Sequence, residues 1–221
     1  AWVYAKDSHR YWQRIIDLGN GRINNNIVLG WYGSSGQMFM ENYQGSSTIK
    51  IITNEIFPEN QWTHVAAVTN SNGNAYIYWN GQIKASGNIY PVVNTIRYNQ
   101  YIGKSNWVPP DADFYGVFDE VRIWNKARTQ AEIQADMNRQ LIGTEGGLVG
   151  YWNFNEGSGN TVTDSTNNHN NGTVYGATWT TGIVPTTLKL GNTFTQADLD
   201  NGLLTYQHNG SETTSDNFKF T

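Results

Sequence analysis

The chain has 221 residues, of which 14% are aromatic and 14% charged, with no cysteine and a formal net charge of −4. This mild acidic balance, without any basic run, argues against a nucleic-acid partner or an anionic membrane surface, both of which want clustered Lys and Arg. The lack of cysteine excludes a disulfide framework, a thiolate metal site and a cysteine nucleophile, and no apolar stretch reaches the ~20 residues needed for membrane insertion.

From the N-terminal end, short β-rich runs at residues 1–5, 14–18, 26–32, 37–43 and 49–52 are separated by Gly, Asn and Ser clusters. A meander follows over residues 62–69, 74–79 and 82–85, joined at Asn72-Gly73 and Asn80-Gly81. Asn-Gly is the strongest short hairpin signal, because both central residues of a type I′ turn need positive φ. Tyr76, Ile77, Tyr78 and Trp79 fill both faces of one meander strand. Such strands belong in the middle of a sandwich, or in a concave face that offers rings to a ligand.

A sugar face stacks on an exposed aromatic plane beside hydrogen-bonding groups. Trp107, in the Pro-rich loop KSNWVPPDAD, is the leading candidate for such a contact, followed by Tyr115. Trp12, Trp31, Tyr32 and Tyr43 come next, with Arg10, Arg97 and Asn106 as hydrogen-bonding neighbours. Beyond the loop, Val117, Phe118, Val121, Ile123 and Trp124 form one β-rich apolar run, and Thr129 with Glu132 makes a capping box. The box opens one short helix near residues 129–140, with Ile133, Met137 and Leu141 as its docking stripe. Further strands are expected at residues 147–157 and 172–180, around the polar loop DSTNNHNNG; Trp124 and Trp152 are assigned to the core.

The words GVFDEVRIWN, TQAEIQADMNRQ and GLVGYWNFNEGSG, in that order, resemble the bacterial laminin G-like domains of the concanavalin A-like jelly-roll class. The resemblance runs from residue 1 to about residue 184. It implies an all-β fold, a concanavalin A-like jelly-roll β-sandwich with one short helix near residues 129–140. In that family a strand pair precedes the segment at residues 1–5, so the first strands are expected to be missing. Related jelly rolls often carry a structural calcium near the aspartate of the DEVRIW word. The chain offers Asp119, Asp164, Glu156 and Asn168 as the leading oxygens for Ca2+, with Asn167, Asn170, Asp111 and Asp113 behind them.

From residue 187 the tail changes character, and FTQADLDNGLLTYQHNGSE with DNFKF resembles the second half of the cadherin-like repeat of chondroitin sulfate proteoglycan type found in large bacterial adhesins. Residues 185–221 are expected to be a partial repeat, or extra strands packing on the jelly roll. Strands at residues 203–206 and 218–220 could fill an open sheet edge in the same molecule or in a neighbour.

Glycosidases of this fold set two carboxylates on one face of an E-x-D-x-x-E strand. No such strand occurs, and alternation along a strand sends Asp119 and Glu120 to opposite faces. His9, His64, His169 and His208 lie far apart and in no recognised motif. The expectation is therefore a binding module that is not an enzyme, stabilised by calcium, within a large secreted or cell-surface adhesion protein. Its partner would be a glycan or another surface protein. Two alternatives stand beside this: a structural subunit that self-associates by strand donation into fibres or lattices, and an accessory carbohydrate-binding domain of a polysaccharide-degrading enzyme.

Overall fold

A computed structural model describes residues 1–107, 111–180 and 182. The chain divides into two units, Ala1–Val184 and Pro185–Thr221, and every described residue lies in the first. The tail strands expected at residues 203–206 and 218–220, and residues 108–110 of the Pro-rich loop, lie outside the described residues.

Two antiparallel five-stranded sheets dominate. The first has the order β10-β1-β6-β7-β8, with β1 at Trp2–Ala5, β6 at Trp62–Thr69, β7 at Asn74–Trp79, β8 at Gln82–Asn88 and β10 at Gly116–Asp119. The second has the order β5-β4-β3-β2-β9, with β2 at Arg14–Gly19, β3 at Ile27–Trp31, β4 at Gln37–Gln44, β5 at Ser47–Ile56 and β9 at Asn99–Ile102. Short pairs β11 (Val121–Trp124) with β12 (Leu148–Trp152), and β13 (Thr161–Val162) with β14 (Gly172–Thr173), complete the described strands. The two large sheets make a jelly-roll sandwich of the expected class.

Alternation explains the main core. Val3 and Ala5 of β1, and Ala75, Ile77 and Trp79 of β7, point inward, where they meet Trp31, Met38 and Met40 of the second sheet. Trp31 is fully buried, its ring stacked on Phe114 at 5.3 Å and edge-on to Phe57 at 5.4 Å. The indole N–H of Trp79 donates to Sδ of Met38 at 3.0 Å. The second sheet is covered on its other face too, where Val28, Phe39 and Tyr43 form a separate cluster with Trp12, Ile52 and Trp107.

One turn expectation holds and three local expectations change. Asn80-Gly81 has φ of 46° and 71° and forms the two-residue turn between β7 and β8. Asn72-Gly73 does not form one, because the Asn70 side chain accepts from the N–H groups of Asn72 and Asn74 and stretches the link to four residues. The apolar run after residue 116 is two strands, broken at Glu120 with φ of 53°. A left-handed glutamate is strained. It is held by Tyr151, whose buried hydroxyl lies 2.7 and 2.9 Å from the two Glu120 oxygens, and by the Arg122 guanidinium at 2.5 Å. Asp119 and Glu120 are thus both buried, and they do not alternate as neighbours within one strand. Strand β9 had no sequence signal, since NQYI is short and half polar.

The helix α1 spans Gln130–Asp136, with Thr129 as N-cap and the capping box to Glu132 complete. It docks on the β7–β8 turn, where the side-chain amides of Gln130 and Gln134 both donate to the Gly81 carbonyl. Of its stripe, Ile133 is buried, Met137 caps the C-terminus, and Leu141 lies beyond the helix beside Leu148 and Tyr151. Among the described residues, no helix is long and apolar enough to cross a membrane.

Candidate functional site

A bulge sets the site. The register of β2 against β3 shifts between Arg14 and Ile16, so Arg14 and Asp17 share the outer face of the second sheet while Ile15 enters the core. On that face the directly paired residues run Asp17, Val28, Glu41, Lys50 from β2 to β5. Phe39 pairs with Gly30, which pairs with Arg14. A Cβ on Gly30 would meet the Gln13 carbonyl at 2.2 Å, so only glycine leaves room for Arg14 here.

The Arg14 guanidinium lies over three rings, with its carbon 5.3 Å from the Phe39 centroid, 5.5 Å from that of Trp12 and 5.6 Å from that of Trp107. It donates to Asp111 at 2.9 Å and to the Trp12 carbonyl at 2.5 Å, and burial draws its pKa below the usual arginine value. Burial also raises the Asp111 carboxyl, against the hydrogen bond from Ser105 and the charge of Arg14. Asp17 is fully buried and accepts from the backbone N–H and side-chain amide of Asn106 and from the side chain of Asn26. Tyr43, tilted against Trp107 at 5.8 Å, has its hydroxyl pKa raised by burial and then by the neighbouring Glu41 charge.

Trp12 carries local strain, with φ of 50°, a region that bulky side chains rarely occupy. Its N–H donates to the Gly33 carbonyl, and its ring stands edge-on to Tyr32 at 5.0 Å and to Phe39 at 5.2 Å. The result is a rim of partly exposed Trp12, Tyr32 and Trp107 around a buried, hydrogen-bonded charged floor. Such a surface can stack a sugar and hydrogen-bond its hydroxyls.

Of the residues the sequence nominated, Trp107, Tyr43, Asn106, Trp12 and Tyr32 meet at this face. Trp31 does not. Fully buried on the opposite face of β3, it has no ring surface to offer, and its nomination as a ligand contact is corrected to a core role. Tyr115 is exposed, but its ring lies under Lys6 and Arg10 instead. Arg97 pins backbone, donating to the carbonyls of Asn25 and Val93. Arg14, Phe39, Glu41 and Lys50 were not nominated. The alternation of residues 37–43 could have placed Phe39, Glu41 and Tyr43 on one face, whereas Arg14 depends on the bulge.

Among the described residues, the three acids of the quartet nominated for calcium, Asp119, Asp164 and Glu156, do not converge within 4.8 Å of one another. The Asp164 oxygens accept from the N–H groups of Tyr151, Thr166 and Asn170 and from the Thr166 hydroxyl, which fills the lone pairs a cation would take. Burial pushes that carboxyl up, but these donors outweigh it and hold its pKa below the usual range. Glu156 accepts from the Thr163 N–H, and the Asn168 amide donates to the Val149 carbonyl. Asp119 accepts from the Glu120 N–H. The group of acids and histidine that does converge among the described residues is Asp7, His9 and Glu59, within 4.8 Å. There one Glu59 oxygen already accepts from the Ser8 N–H and hydroxyl and lies 3.1 Å from the His9 ring nitrogen.

Comparison with known proteins agrees with the fold. The family described as the concanavalin A-like lectin/glucanases superfamily matches residues 1–134, and a family described as cadherin-like matches residues 162–221. No curated protein matches the sequence. Among solved structures, a Bacteroides ovatus protein described as carbohydrate binding is 19% identical with a TM-score of 0.55, over 78% of this chain and 50% of its own. Domain 4 of AbnA, a GH43 extracellular arabinanase from Geobacillus stearothermophilus solved in complex with arabinotriose, is 28% identical with a TM-score of 0.50, over 61% of this chain and 62% of its own. The chain thus spans half of the first structure and less than two thirds of the second.

Proposed function

The chain belongs to the concanavalin A-like lectin/glucanases superfamily, and from that premise we propose that it is a non-catalytic module that binds a glycan on the outer face of β2 to β5. The observation that carries this reading is the aromatic rim of Trp12, Tyr32 and Trp107 around Arg14 and its buried partners. The likeness to an arabinanase domain bound to arabinotriose supports it.

Titration of arabinotriose and other short neutral oligosaccharides by calorimetry tests the reading. Trp12→Ala and Trp107→Ala are each expected to weaken binding roughly tenfold or more, since an aromatic anchor at a contact centre is worth more than about 1.4 kcal/mol. Tyr115→Ala should bind as the unaltered protein does. Equal affinity in all three variants would remove the outer face as the site.

The cadherin-like match over residues 162–221 supports placing this module in a large secreted or cell-surface adhesion protein. The arabinanase likeness favours a second reading, an accessory domain of a polysaccharide-degrading enzyme. An insoluble-polysaccharide pull-down compared with adhesion to intact cells separates them. Self-assembly through the tail would appear as mass that grows with concentration in light scattering. Calcium is a matter for direct measurement. Because the Asp164 oxygens already accept four protein donors, chelation is expected to leave the melting temperature within about 1 °C; a fall of several degrees would show that other oxygens hold an ion.

A further inference from the structure

We propose that the site selects neutral glycans, with Lys50, held and neutralised by Glu41, acting as the donor that reads a sugar hydroxyl; this rests on the glycan-binding reading above. Glu41 and Lys50 face each other across β4 and β5, with the ammonium nitrogen 3.1 Å from a carboxylate oxygen. That nitrogen also lies 5.5 Å from the Trp12 centroid, 5.6 Å from that of Tyr32 and 5.7 Å from that of Phe39. Three rings hold the lysine head on the rim, where stacking is proposed.

Exposure sets Lys50 apart from the other charges of the face. Its side chain is 32% exposed, against 4% for Glu41, 3% for Arg14, 7% for Asp111 and 0% for Asp17. Arg14 and Asp111 are engaged with each other, and Asp17 with Asn26 and Asn106. Lys50 is therefore the group among these through which the charged floor reaches solvent. An ammonium has three N–H donors, of which Glu41 takes one at most. A sugar hydroxyl can accept from one of the ammonium's remaining N–H groups, while Glu41, buried and also accepting from the Thr48 hydroxyl, holds the lysine head in place.

Charge balance points the same way. Arg14 and Lys50, with Arg22 close enough to act on Asp111, are matched by Asp17, Glu41 and Asp111. A balanced face has no surplus cation for a uronate.

The test is calorimetry of the full chain with arabinotriose and with a galacturonic acid trisaccharide, each at low and high salt. The expected result is binding of the neutral sugar, unchanged by salt, and weakened roughly tenfold or more in Lys50→Met, because a hydrogen bond donated by a charged group is stronger than a neutral one. Glu41→Gln leaves a surplus cation and is expected to weaken the neutral sugar while gaining salt-sensitive uronate binding, an effect a purely structural role would not produce. Melting temperatures of both variants check that they are folded. Neutral-sugar binding unchanged in both variants overturns the role of the pair but leaves the glycan site standing. A preference of the unaltered protein for the uronate overturns the neutral class alone. If neither sugar nor any other glycan binds, the proposed function falls and this inference with it.

Discussion

Trp31→Ala is expected to destabilise the sandwich by about 3–5 kcal/mol, the usual cost of emptying a large aromatic site in a close-packed interior. The indole is fully buried between the two large sheets and touches Phe57 and Phe114, which come from different parts of the chain. Phe57 in turn stands edge-on to Trp79 at 5.2 Å, and Phe114 stacks on Phe118 at 4.1 Å. Removing the central ring leaves each of these neighbours with an open side, and rigid strands on both flanks limit how far they can close. A urea titration followed by circular dichroism gives the number. A loss under about 1 kcal/mol would mean that the sheets do not meet through this residue. The same variant should keep any glycan affinity it retains when folded, since its ring faces away from the outer surface.

Glu120→Ala is expected to cost about 3–5 kcal/mol for a different reason, the stranding of a buried cation. The Arg122 side chain is only 6% exposed, and Glu120 is its carboxylate partner at 2.5 Å. Arg122 also donates to the carbonyls of Asp136 and Arg139, which soften the loss without supplying a counter-charge. Tyr151→Phe removes a hydroxyl from the same cluster and is expected to cost less, about 1–2 kcal/mol. Its pH signature is distinct. Burial, then the hydrogen bond and charge of Glu120, raise the Tyr151 pKa above its unfolded value. That raised value contributes stability that is fully present below about pH 10 and is lost as the solution becomes more alkaline, because the unfolded chain ionises first. Tyr151→Phe should flatten the alkaline limb of the stability curve; an unchanged limb would show that another group controls it.

Local grammar made much of the fold legible. Asn80-Gly81 sits in the turn it specifies, and Thr129 with Glu132 closes the box that starts the helix. Strands β6 and β7 begin and end where their apolar runs do. What was lost depends on partners distant in sequence. Residues 117–124 look like one strand until Tyr151 and Arg122 are seen holding Glu120 in its left-handed turn. Trp31 and Tyr32 are adjacent aromatics with equal claims on a ligand, and only the pairing of β3 with β4 shows that Trp31 faces the core. The site divides in the same way. Asn106 and Trp107 could be nominated from their loop, but Arg14 reaches the outer face through a bulge, and Lys50 reaches Glu41 through a cross-strand register that composition does not reveal.

The position of Lys50 on β5 has a consequence for how such a face could diversify. Strand β5 ends its sheet, pairing through its ladder with β4 alone, while Arg14 and Asp17 stand on the interior strand β2 and Asn106 is tied to them by hydrogen bonds. Substitutions at Lys50 or Ile52 leave the hydrogen bonds of that locked floor in place. A lineage, or a designer, could therefore retune ligand preference at the margin of the sheet while the scaffold beneath stays fixed, and libraries built there should yield folded variants more often than libraries at Arg14 or Gly30.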